Sequence, residues 1–400
     1  MKANSAARIT LRAGFFALLC LACGAASTGF SRADSGGSRP EGNGGLHFFN
    51  SSDPATNPYP QWIAVADFNG DGKPDLAVAT YSIFTSFTDV NILLGNGDGS
   101  FTAGPTFPAT GQNINNVVVA DFNGDGKPDL AISMPDANEI QVLLGNGDGS
   151  FTPLPAISAV GVSRIFAGHF IANNKADLVV VSAGPGTVTV LLGNGNGTFT
   201  AKAPIMVAGD PAYAAVGDFN GDGKQDLAVV NYLDDTLTIL LGNGKGTFKE
   251  VESRPSTGIE PLCVAVGDFN GDGIPDLAVT NQNNGYPEPG TVTVLIGRGN
   301  GTFTPMAVSP VVGSVPESVA VADFNGDGIL DLATSNSGSN TISVLLGRGN
   351  GTFSAPLGPA AGTNPIFTAV ADFNGDGVSD LAAADNVTSS VTVLLTQRSH

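Results

Sequence analysis

A motif that recurs about every fifty residues constrains this sequence most. Asp-Phe-Asn-Gly-Asp-Gly begins at six places, Asp67, Asp121, Asp218, Asp268, Asp323 and Asp372, and a degraded copy that begins at His169 fills the wide gap between the second and the third. The steps between the seven copies are 48 to 55 residues long. A regular period of this length is typical of repeat arrays and propellers, in which each repeat is one supersecondary unit.

A second motif completes each repeat and predicts its strands. Leu-(Leu/Ile)-Gly-(Asn/Arg)-Gly-x-Gly-(Ser/Thr)-Phe follows every copy of the first motif except the last. Short apolar or alternating segments, such as 117–120, 129–132 and 187–192, predict strands A, B and C, and strand D starts at the Thr-Phe pair 198–199. The Asn-Gly step predicts a tight C–D turn whose two central residues have positive φ. Four short strands per repeat suit a propeller blade.

The two ends of the repeat region complement one another. The seventh repeat stops after strand C at Thr396, whereas residues 42–48 resemble a C–D turn and a strand D without a preceding repeat. The sequence therefore predicts an all-β, seven-bladed β-propeller of four-stranded blades over residues 42–396, whose last blade is closed by an N-terminal strand. Residues 397–400 are a predicted tail. A stacked solenoid is the alternative, but it does not explain why each end lacks what the other has.

The first residues predict export. Basic residues precede the apolar stretch 13–22, and small residues follow it up to Ala26. We interpret residues 1–26 as a signal peptide and residues 27–41 as a flexible linker. A lipoprotein anchored at Cys23 is the alternative. The expected location is secreted or extracellular, or periplasmic, after cleavage of the signal peptide.

The composition excludes several classes of protein. The chain has 17 basic and 36 acidic residues, a net charge of −19, and removal of residues 1–26 changes this charge to −22. Such an acidic chain is a poor partner for nucleic acid. A helical bundle is improbable, because 54 of the 400 residues are glycine and only 13% are charged. Cleavage would leave Cys263 as the only cysteine, in an apolar run that predicts a buried thiol. We expect no membrane span and a monomer.

The aspartate motif predicts a metal site. Its full spacing is Asp-x-Asn-x-Asp-Gly-x-x-Asp, with Asp67, Asn69, Asp71 and Asp75 at positions 1, 3, 5 and 9 of the first copy. Side-chain oxygens at positions 1, 3 and 5 and the carbonyl at position 7 suit Ca²⁺, and Gly at position 6 allows the sharp turn. The glutamate at position 12 of an EF-hand is absent, so position 9 is expected to close the site. The alternative is an Asx-turn hairpin without an ion, which would leave three carboxylates crowded in each loop.

About six Ca²⁺ ions are expected, one in each intact loop. The predicted ligands, at positions 1, 3, 5, 7 and 9, are Asp67, Asn69, Asp71, Lys73, Asp75, Asp121, Asn123, Asp125, Lys127, Asp129, Asp218, Asn220, Asp222, Lys224, Asp226, Asp268, Asn270, Asp272, Ile274, Asp276, Asp323, Asn325, Asp327, Ile329, Asp331, Asp372, Asn374, Asp376, Val378 and Asp380. The third repeat keeps only Asp177 and is expected to be empty. Its His169 is predicted to be a hydrogen-bonded hairpin residue rather than a transition-metal ligand.

Both motifs resemble the FG-GAP and VCBS-type repeats of integrin-α-like propellers over about residues 42–396. The resemblance is closer to the bacterial VCBS style, because the Gly-Ala-Pro element of the integrin type is not evident. It implies calcium in the A–B hairpins, at the positions named above. It also implies that these hairpins lie on the bottom face and that the B–C and D–A loops form the top face, where such propellers commonly bind ligands.

The B–C loops contain the candidate ligand-binding residues. The sequences of these loops vary most between repeats. They contain the candidate binding residues Tyr81, Tyr232, Asp234 and Tyr286. Aromatic rings beside carboxylates suit the binding of sugars or peptides. The alternative is that the rings only cover the ends of the blades. Trp62, at the start of a strand A, is predicted to pack in the core.

The functional hypothesis is a secreted, calcium-binding propeller that acts as a binding or adhesion module for an extracellular polymer or protein. A lectin with sugar sites on the top-face loops is the first alternative. A carboxylate-based enzyme that acts on polysaccharides is the second, although the neighbours Asp234 and Asp235 would point apart on a strand. We expect no enzymatic activity, because the three histidines form no recognisable triad and no Gly-x-Ser-x-Gly motif occurs.

Overall fold

The computed structural model describes residues 46–81, 88–108 and 113–398, so the predicted signal peptide and linker lie outside the described residues. The described chain contains thirty β-strands in seven antiparallel sheets and one short 3-10 helix, Pro135–Ala137. None of its helices is long and apolar enough to cross a membrane. The sheets confirm the predicted all-β, seven-bladed propeller.

In chain order, the strands are β1 Leu46–Ser52, β2 Pro60–Ala66, β3 Asp75–Thr80, β4 Asp89–Gly95, β5 Phe101–Pro108, β6 Asn116–Ala120, β7 Asp129–Met134, β8 Glu139–Gly145, β9 Phe151–Pro153, β10 Ile157–Ser158, β11 Arg164–Gly168, β12 Asp177–Ser182, β13 Thr187–Gly193, β14 Phe199–Ala201, β15 Ile205–Met206, β16 Pro211–Gly217, β17 Asp226–Asn231, β18 Thr236–Gly242, β19 Phe248–Glu250, β20 Pro261–Gly267, β21 Asp276–Asn281, β22 Pro289–Gly297, β23 Phe303–Pro305, β24 Val311–Ser314, β25 Pro316–Ala322, β26 Asp331–Asn336, β27 Thr341–Leu345, β28 Pro365–Ala371, β29 Asp380–Asp385 and β30 Ser390–Arg398.

The strands form seven blades. Blades 1 to 7 consist of β2–β5, β6–β10, β11–β15, β16–β19, β20–β24, β25–β27 and β28–β30, and β1 joins the last of these. In blade 6 the outermost segment makes single bridges, such as Gly347 to Phe353, in place of a continuous strand D. The first strand of each blade contacts the first strands of both neighbours, and contact between β2 and β28 closes the ring.

The middle strands are buried on both faces because each blade lies between two others. Every residue of β3, β7, β12, β17, β21, β26 and β29 is buried. Small and β-branched residues dominate these strands, which fits a sheet that is covered on both sides. The prediction that Trp62 packs in the core is confirmed: its fully buried ring stacks on Phe367 of blade 7 with centroids 5.2 Å apart. Cys263 is buried, as predicted.

The N-terminal strand closes the last blade, as predicted. Strand β1 pairs antiparallel with β30, and Phe48 lies opposite Thr396. Strand β30 continues to Arg398, two residues past the predicted end of the propeller, because Leu46 and His47 extend the pairing. The closing blade therefore joins the two ends of the described chain without a covalent link, mainly by main-chain hydrogen bonds, which removes two sheet edges.

A repeated aromatic contact joins each blade to the next. The phenylalanine of each A–B loop packs edge-on against the phenylalanine that starts strand D of the following blade. The seven pairs are Phe68–Phe151, Phe122–Phe199, Phe170–Phe248, Phe219–Phe303, Phe269–Phe353, Phe324–Phe48 and Phe373–Phe101, with centroids 5.5–6.2 Å apart. We call each of these aromatic pairs an interblade latch.

A main-chain hydrogen bond accompanies the aromatic contact. The N–H of Gly149 in the C–D turn of blade 2 donates to the carbonyl of Phe68 in blade 1 at 2.9 Å, and five further C–D turns make the same bond to the preceding blade. The predicted turn geometry is wrong in one respect. In blade 1 the positive φ angles belong to Gly97 (79°) and Gly99 (82°), not to Asn96 and Gly97. Two separated left-handed residues make a longer turn, which reaches the neighbouring blade.

One carboxylate in the closing blade occupies a position where three other blades have an amide. Asn231, Asn281 and Asn336 end strand B of blades 4, 5 and 6, and their Nδ2 groups donate to hydroxyls on strand C. In blade 7 the residue is Asp385, which accepts hydrogen bonds from the backbone N–H and hydroxyl of Thr392 instead. Burial raises the pKa of Asp385 to about 7, against the opposing effect of these hydrogen bonds.

The substitution Asp385→Asn is expected to stabilise the propeller at pH 8. Because the folded pKa of about 7 lies above the ordinary value of 3.8, stability from this group is fully present below pH 3.8 and is lost as the pH rises to 7. We expect a gain of about 2–3 kcal/mol at pH 8 and little gain at pH 4. Thermal melts of both proteins at the two pH values measure it.

The reverse substitution provides the control. Asn336→Asp places a carboxylate at the equivalent buried position of blade 6 and should destabilise the protein at pH 8 more than at pH 4. Equal melting temperatures for the Asp385→Asn variant and the unmodified protein at pH 8 would contradict the assignment.

Candidate functional site

The A–B loop of each intact repeat wraps around its first aspartate. In blade 1, Asp67 accepts the N–H groups of Gly70 at 2.7 Å and Gly72 at 2.8 Å, and Asn69 Oδ1 accepts the N–H of Asp71 at 2.9 Å. The other five intact loops repeat most of these bonds. Positions 1 and 3 are half-buried and position 5 is exposed in all six loops. The local spacing therefore places one amide and two carboxylate groups on one short loop.

The carboxylate at position 9 has a different environment. Asp75 is fully buried, and its two oxygens accept the N–H groups of Phe68 at 2.9 Å and Gly95 at 2.8 Å. These bonds connect the A–B loop to the end of strand C, and all seven blades contain them. In the six intact repeats burial raises the pKa of this aspartate, to about 6 in Asp226 and about 7 in Asp331, and in these two blades the carboxylates at positions 1 and 5 raise the pKa further.

Blade 3 forms the same hairpin without the exposed carboxylates. Phe170 and Gly193 donate their N–H groups to Asp177 at 2.7 and 2.8 Å, as in the intact repeats. His169, at position 1, lies with Nδ1 2.9 Å from the carbonyl oxygen of Lys175 at position 7, so Nδ1 carries the proton. The prediction of a hydrogen-bonded hairpin histidine is confirmed. The two position-9 bonds therefore form without carboxylates at positions 1 and 5.

The donors fit a hard cation, with one difference from the predicted ligand set. Among the described residues no three His, Cys, Asp or Glu side chains converge as in a metal centre. Position 9 faces two backbone amides. Each loop then has a half-buried carboxylate at position 1, an exposed carboxylate at position 5, an amide oxygen at position 3 and the position-7 carbonyl. All are hard oxygen donors, the type that Ca²⁺ prefers, and Ca²⁺ readily completes its shell with water. The ligand role of the thirty named residues stays a prediction.

The opposite face is built from the B–C turns and the D–A connections, which together we call the top face. The N–H of Tyr232 donates to the carbonyl of Asp210 at 3.1 Å, and the N–H of Gln282 donates to the carbonyl of Glu260 at 3.1 Å. The two acceptor residues have positive φ angles of 54° and 55°. These bonds hold each B–C turn against the connection that enters the same blade.

The four candidate ligand-binding residues differ in their exposure to solvent. Tyr81 and Tyr232 are each only 8% exposed, whereas Tyr286 is 73% exposed. Asp234 is exposed and accepts the N–H of Gly209 at 2.9 Å, so it also supports the neighbouring connection. Another tyrosine, Tyr213, lies inside strand β16 and is fully buried, not at the edge of a loop. The tertiary packing around each turn decides these exposures, and the loop sequences alone do not show it.

The exposed apolar side chains show a clear asymmetry. Of the nine large hydrophobic side chains that are exposed among the described residues, five lie in B–C turns or in the connections that enter the next blade: Val160, Leu233, Ile259, Tyr286 and Val387. Met206 and Val311 lie on the outer-edge strands β15 and β24, and Val308 lies between β23 and β24. The ninth, Phe49, lies on β1. Sequence reasoning missed Leu233 and Ile259, although apolar residues within polar turns were a visible signal.

The ring of seven latched blades and the repeated aspartate loops define a class of protein, the repeat propellers with aspartate hairpins. The chain belongs to the FG-GAP-like repeat family. Models of this repeat match residues 80–132, 121–172, 170–229, 218–279, 268–334 and 323–383, and the FG-GAP repeat matches residues 59–82. The matches overlap because each one runs from one aspartate loop to the next.

Two curated relatives share part of this sequence. The phosphatidylinositol-glycan-specific phospholipases D of Homo sapiens and Bos taurus are 37% and 36% identical to it over 82 residues. The match covers 18% of this chain and about a tenth of the length of each relative. It therefore concerns the repeats and not the whole enzymes.

Solved structures share the fold at low identity. BBS1N in complex with ARL6DN has a TM-score of 0.63 at 13% identity, and the match covers 88% of this chain and 98% of that chain. The periplasmic gluconolactonase PpgL of Pseudomonas aeruginosa has a TM-score of 0.57 at 14% identity, with 77% and 87% covered. Streptogramin B lyase has a TM-score of 0.56 at 16% identity, with 88% and 97% covered. These likenesses show the fold alone.

Proposed function

We propose that the chain is an exported, calcium-binding propeller that uses its top face to bind an extracellular protein or polymer. The observation that carries the binding role is the concentration of exposed apolar side chains on that face. Exposed apolar groups cost free energy in water, and their concentration on one face is typical of an interaction site. The A–B loops, on the other face, would stabilise the ring rather than contact the partner.

The comparison within the chain supports calcium binding. Blade 3 keeps the buried aspartate and the aromatic latch without carboxylates at positions 1 and 5. The twelve half-buried or exposed carboxylates of the six other loops are therefore not needed for the connection to strand C or for the latch. Paired carboxylates in one short loop repel one another unless a cation neutralises them. A bound Ca²⁺ ion accounts for their presence.

The chemistry of the top face favours a protein partner over a sugar. A sugar platform needs an exposed aromatic ring, and of the three candidate tyrosines Tyr286 alone is exposed among the described residues. Leu233 and Ile259, from adjacent loops of blades 4 and 5, are 65% and 47% exposed. Asp234 and Glu288 add negative charge on the same side. Exposed apolar side chains with acidic residues around them suit the binding of a protein segment that has apolar and basic side chains. We propose no catalytic role.

The variant Tyr286→Ala tests the binding role. The protein from Ser27 onward, in millimolar calcium, would be screened against arrays of glycans, matrix polymers and extracellular proteins. We expect Tyr286→Ala and Leu233→Ser each to weaken the captured interaction about ten-fold or more, because both remove an exposed anchor. Affinity is measured by surface plasmon resonance.

The control is Phe49→Ser, which removes an exposed apolar side chain from the outer strand of blade 7. It should leave the affinity unchanged. Equal losses in all three variants, or none, would contradict a top-face site. Capture of one sugar class, abolished by Tyr286→Ala alone, would make the protein a lectin.

A further inference from the structure

The six intact loops differ at position 7. Blades 1, 2 and 4 have Lys73, Lys127 and Lys224 there, whereas blades 5, 6 and 7 have Ile274, Ile329 and Val378. This side chain lies along the C–D turn of its own blade. A Cβ placed on Gly97 would lie 3.0 Å from Cδ of Lys73, and a Cβ on Gly299 would lie 3.4 Å from Cδ1 of Ile274. In both groups the fold therefore holds the position-7 side chain between the aspartate loop and the C–D turn of the same blade.

In two of the three lysine loops the ammonium group contacts the position-5 carboxylate. The ammonium group of Lys224 is 2.7 Å from Oδ2 of Asp222, and that of Lys73 is 3.4 Å from Oδ2 of Asp71. Lys127 donates instead to the carbonyl of Asn146 in the adjacent turn at 2.9 Å. A cation in blades 1 and 4 would compete with the ammonium group for the position-5 carboxylate. In blades 1 and 2 the carboxylates of Asp98 and Asp148, in the C–D turns, offset part of the lysine charge.

In the aliphatic loops a neutral group occupies the same place. The side-chain amide of the position-3 asparagine donates to Oδ2 of the position-5 aspartate in blades 5, 6 and 7, at 2.9, 3.1 and 3.0 Å. The C–D turns of blades 5 and 6 carry the basic residues Arg298 and Arg348. The guanidinium of Arg298 donates to the hydroxyl of Thr304 on strand D at 2.7 Å. In these loops no position-7 ammonium group neutralises the carboxylates, so their negative charge is available to a cation.

We propose that the six loops form two classes of calcium site, with tight sites in blades 5, 6 and 7 and weak sites in blades 1, 2 and 4. The inference rests on the proposed calcium binding. One unit charge about 6 Å from a divalent ion at the protein surface weakens binding about ten-fold. The three tight sites are consecutive and include the closing blade, so low calcium stabilises that half of the ring first, and the other half responds at higher calcium.

Counting the bound ions tests this inference. Native mass spectrometry of the decalcified chain, titrated with CaCl₂, should show a species with three ions that accumulates before the species with six. Isothermal titration calorimetry should fit two sets of three sites whose dissociation constants differ about ten-fold. Added salt should narrow the difference, because exposed charges at this distance are partly screened.

Substitutions at position 7 connect the two classes to the lysines. Changing Lys73, Lys127 and Lys224 together to Ile should give six sites of one tight class. Ile274→Lys should move one site from the tight class to the weak one. Lys249→Ile is the matched control, because it removes the same charge from an exposed position on β19 of blade 4 and should change neither class.

The outcomes separate this inference from the proposed function. Six equivalent sites, or two classes that the triple lysine substitution does not alter, would overturn the inference and leave calcium binding intact. A folded chain that binds no calcium, with an unchanged circular dichroism spectrum, would overturn both.

Discussion

Removal of calcium from the folded chain is expected to lower its melting temperature by about 10 °C. Six sites with dissociation constants of ~10⁻⁴ M contribute about 1.4 kcal/mol each in ~1 mM calcium, or about 8 kcal/mol in total. For a propeller of this size the unfolding entropy, at about 2 cal/mol/K per residue, converts that loss to about 10 °C. The physical reason is that twelve carboxylates on the A–B loops lose their counter-ions. Differential scanning calorimetry in calcium and in excess EDTA measures the shift.

Two variants test whether the effect arises in the loops. Asp268→Asn combined with Asp272→Asn removes the position-1 and position-5 carboxylates of blade 5 and should reduce the EDTA effect by roughly a fifth, because blade 5 holds one of the proposed tight sites. His169→Gln, in the loop that is expected to be empty, should leave the EDTA effect as it is. Identical melts in calcium and EDTA would refute the calcium proposal.

The substitution Phe269→Ala is expected to cost about 3–5 kcal/mol of stability, or about 4–7 °C in melting temperature. The ring of Phe269 is 1% exposed and packs 5.6 Å from that of Phe353 in blade 6. Its removal leaves a cavity between two blades that cannot collapse easily, because strands on both sides are fixed by their own sheets. Equilibrium unfolding in guanidinium chloride measures the change.

The exposed neighbour of another latch residue provides the control for this substitution. Phe49→Ala, next to Phe48 on β1, removes a ring that is 43% exposed and should cost less than about 1 kcal/mol. A loss below 1 kcal/mol for Phe269→Ala would show that the latches do not hold the blades together. The EDTA effect should persist in the Phe269→Ala variant, because the ion loops and the latches use different groups.

Much of the fold follows from local sequence. The repeat length and the count of aspartate motifs predict seven blades, and the incomplete seventh repeat predicts closure by an N-terminal strand, which pairs with β30 as expected. Trp62 and Cys263 are buried as predicted, because each lies in a short apolar strand that only a core can cover. His169 is hydrogen-bonded within its hairpin, because both partners lie within one short loop.

The site is less accessible to sequence reasoning. The buried aspartate at position 9 resembles a metal ligand by spacing, but its partners include the N–H of Gly95, twenty residues away on another strand. Tyr81, Tyr232 and Tyr286 are equivalent candidates in the sequence, and the structure leaves one of them exposed. Whether a ring is covered depends on the connection that enters the same blade, which no local pattern describes.

The sequence by itself determined the number of blades, their order and the position of every aspartate loop, because each depends on backbone conformations that a few adjacent residues set. The tertiary structure alone decided the interblade latches, the role of the buried aspartates and the apolar character of the top face. Those features depend on contacts between residues such as Phe68 and Phe151, which are far apart in the chain. The closed ring brings them together, and ring closure is a property of all seven repeats at once.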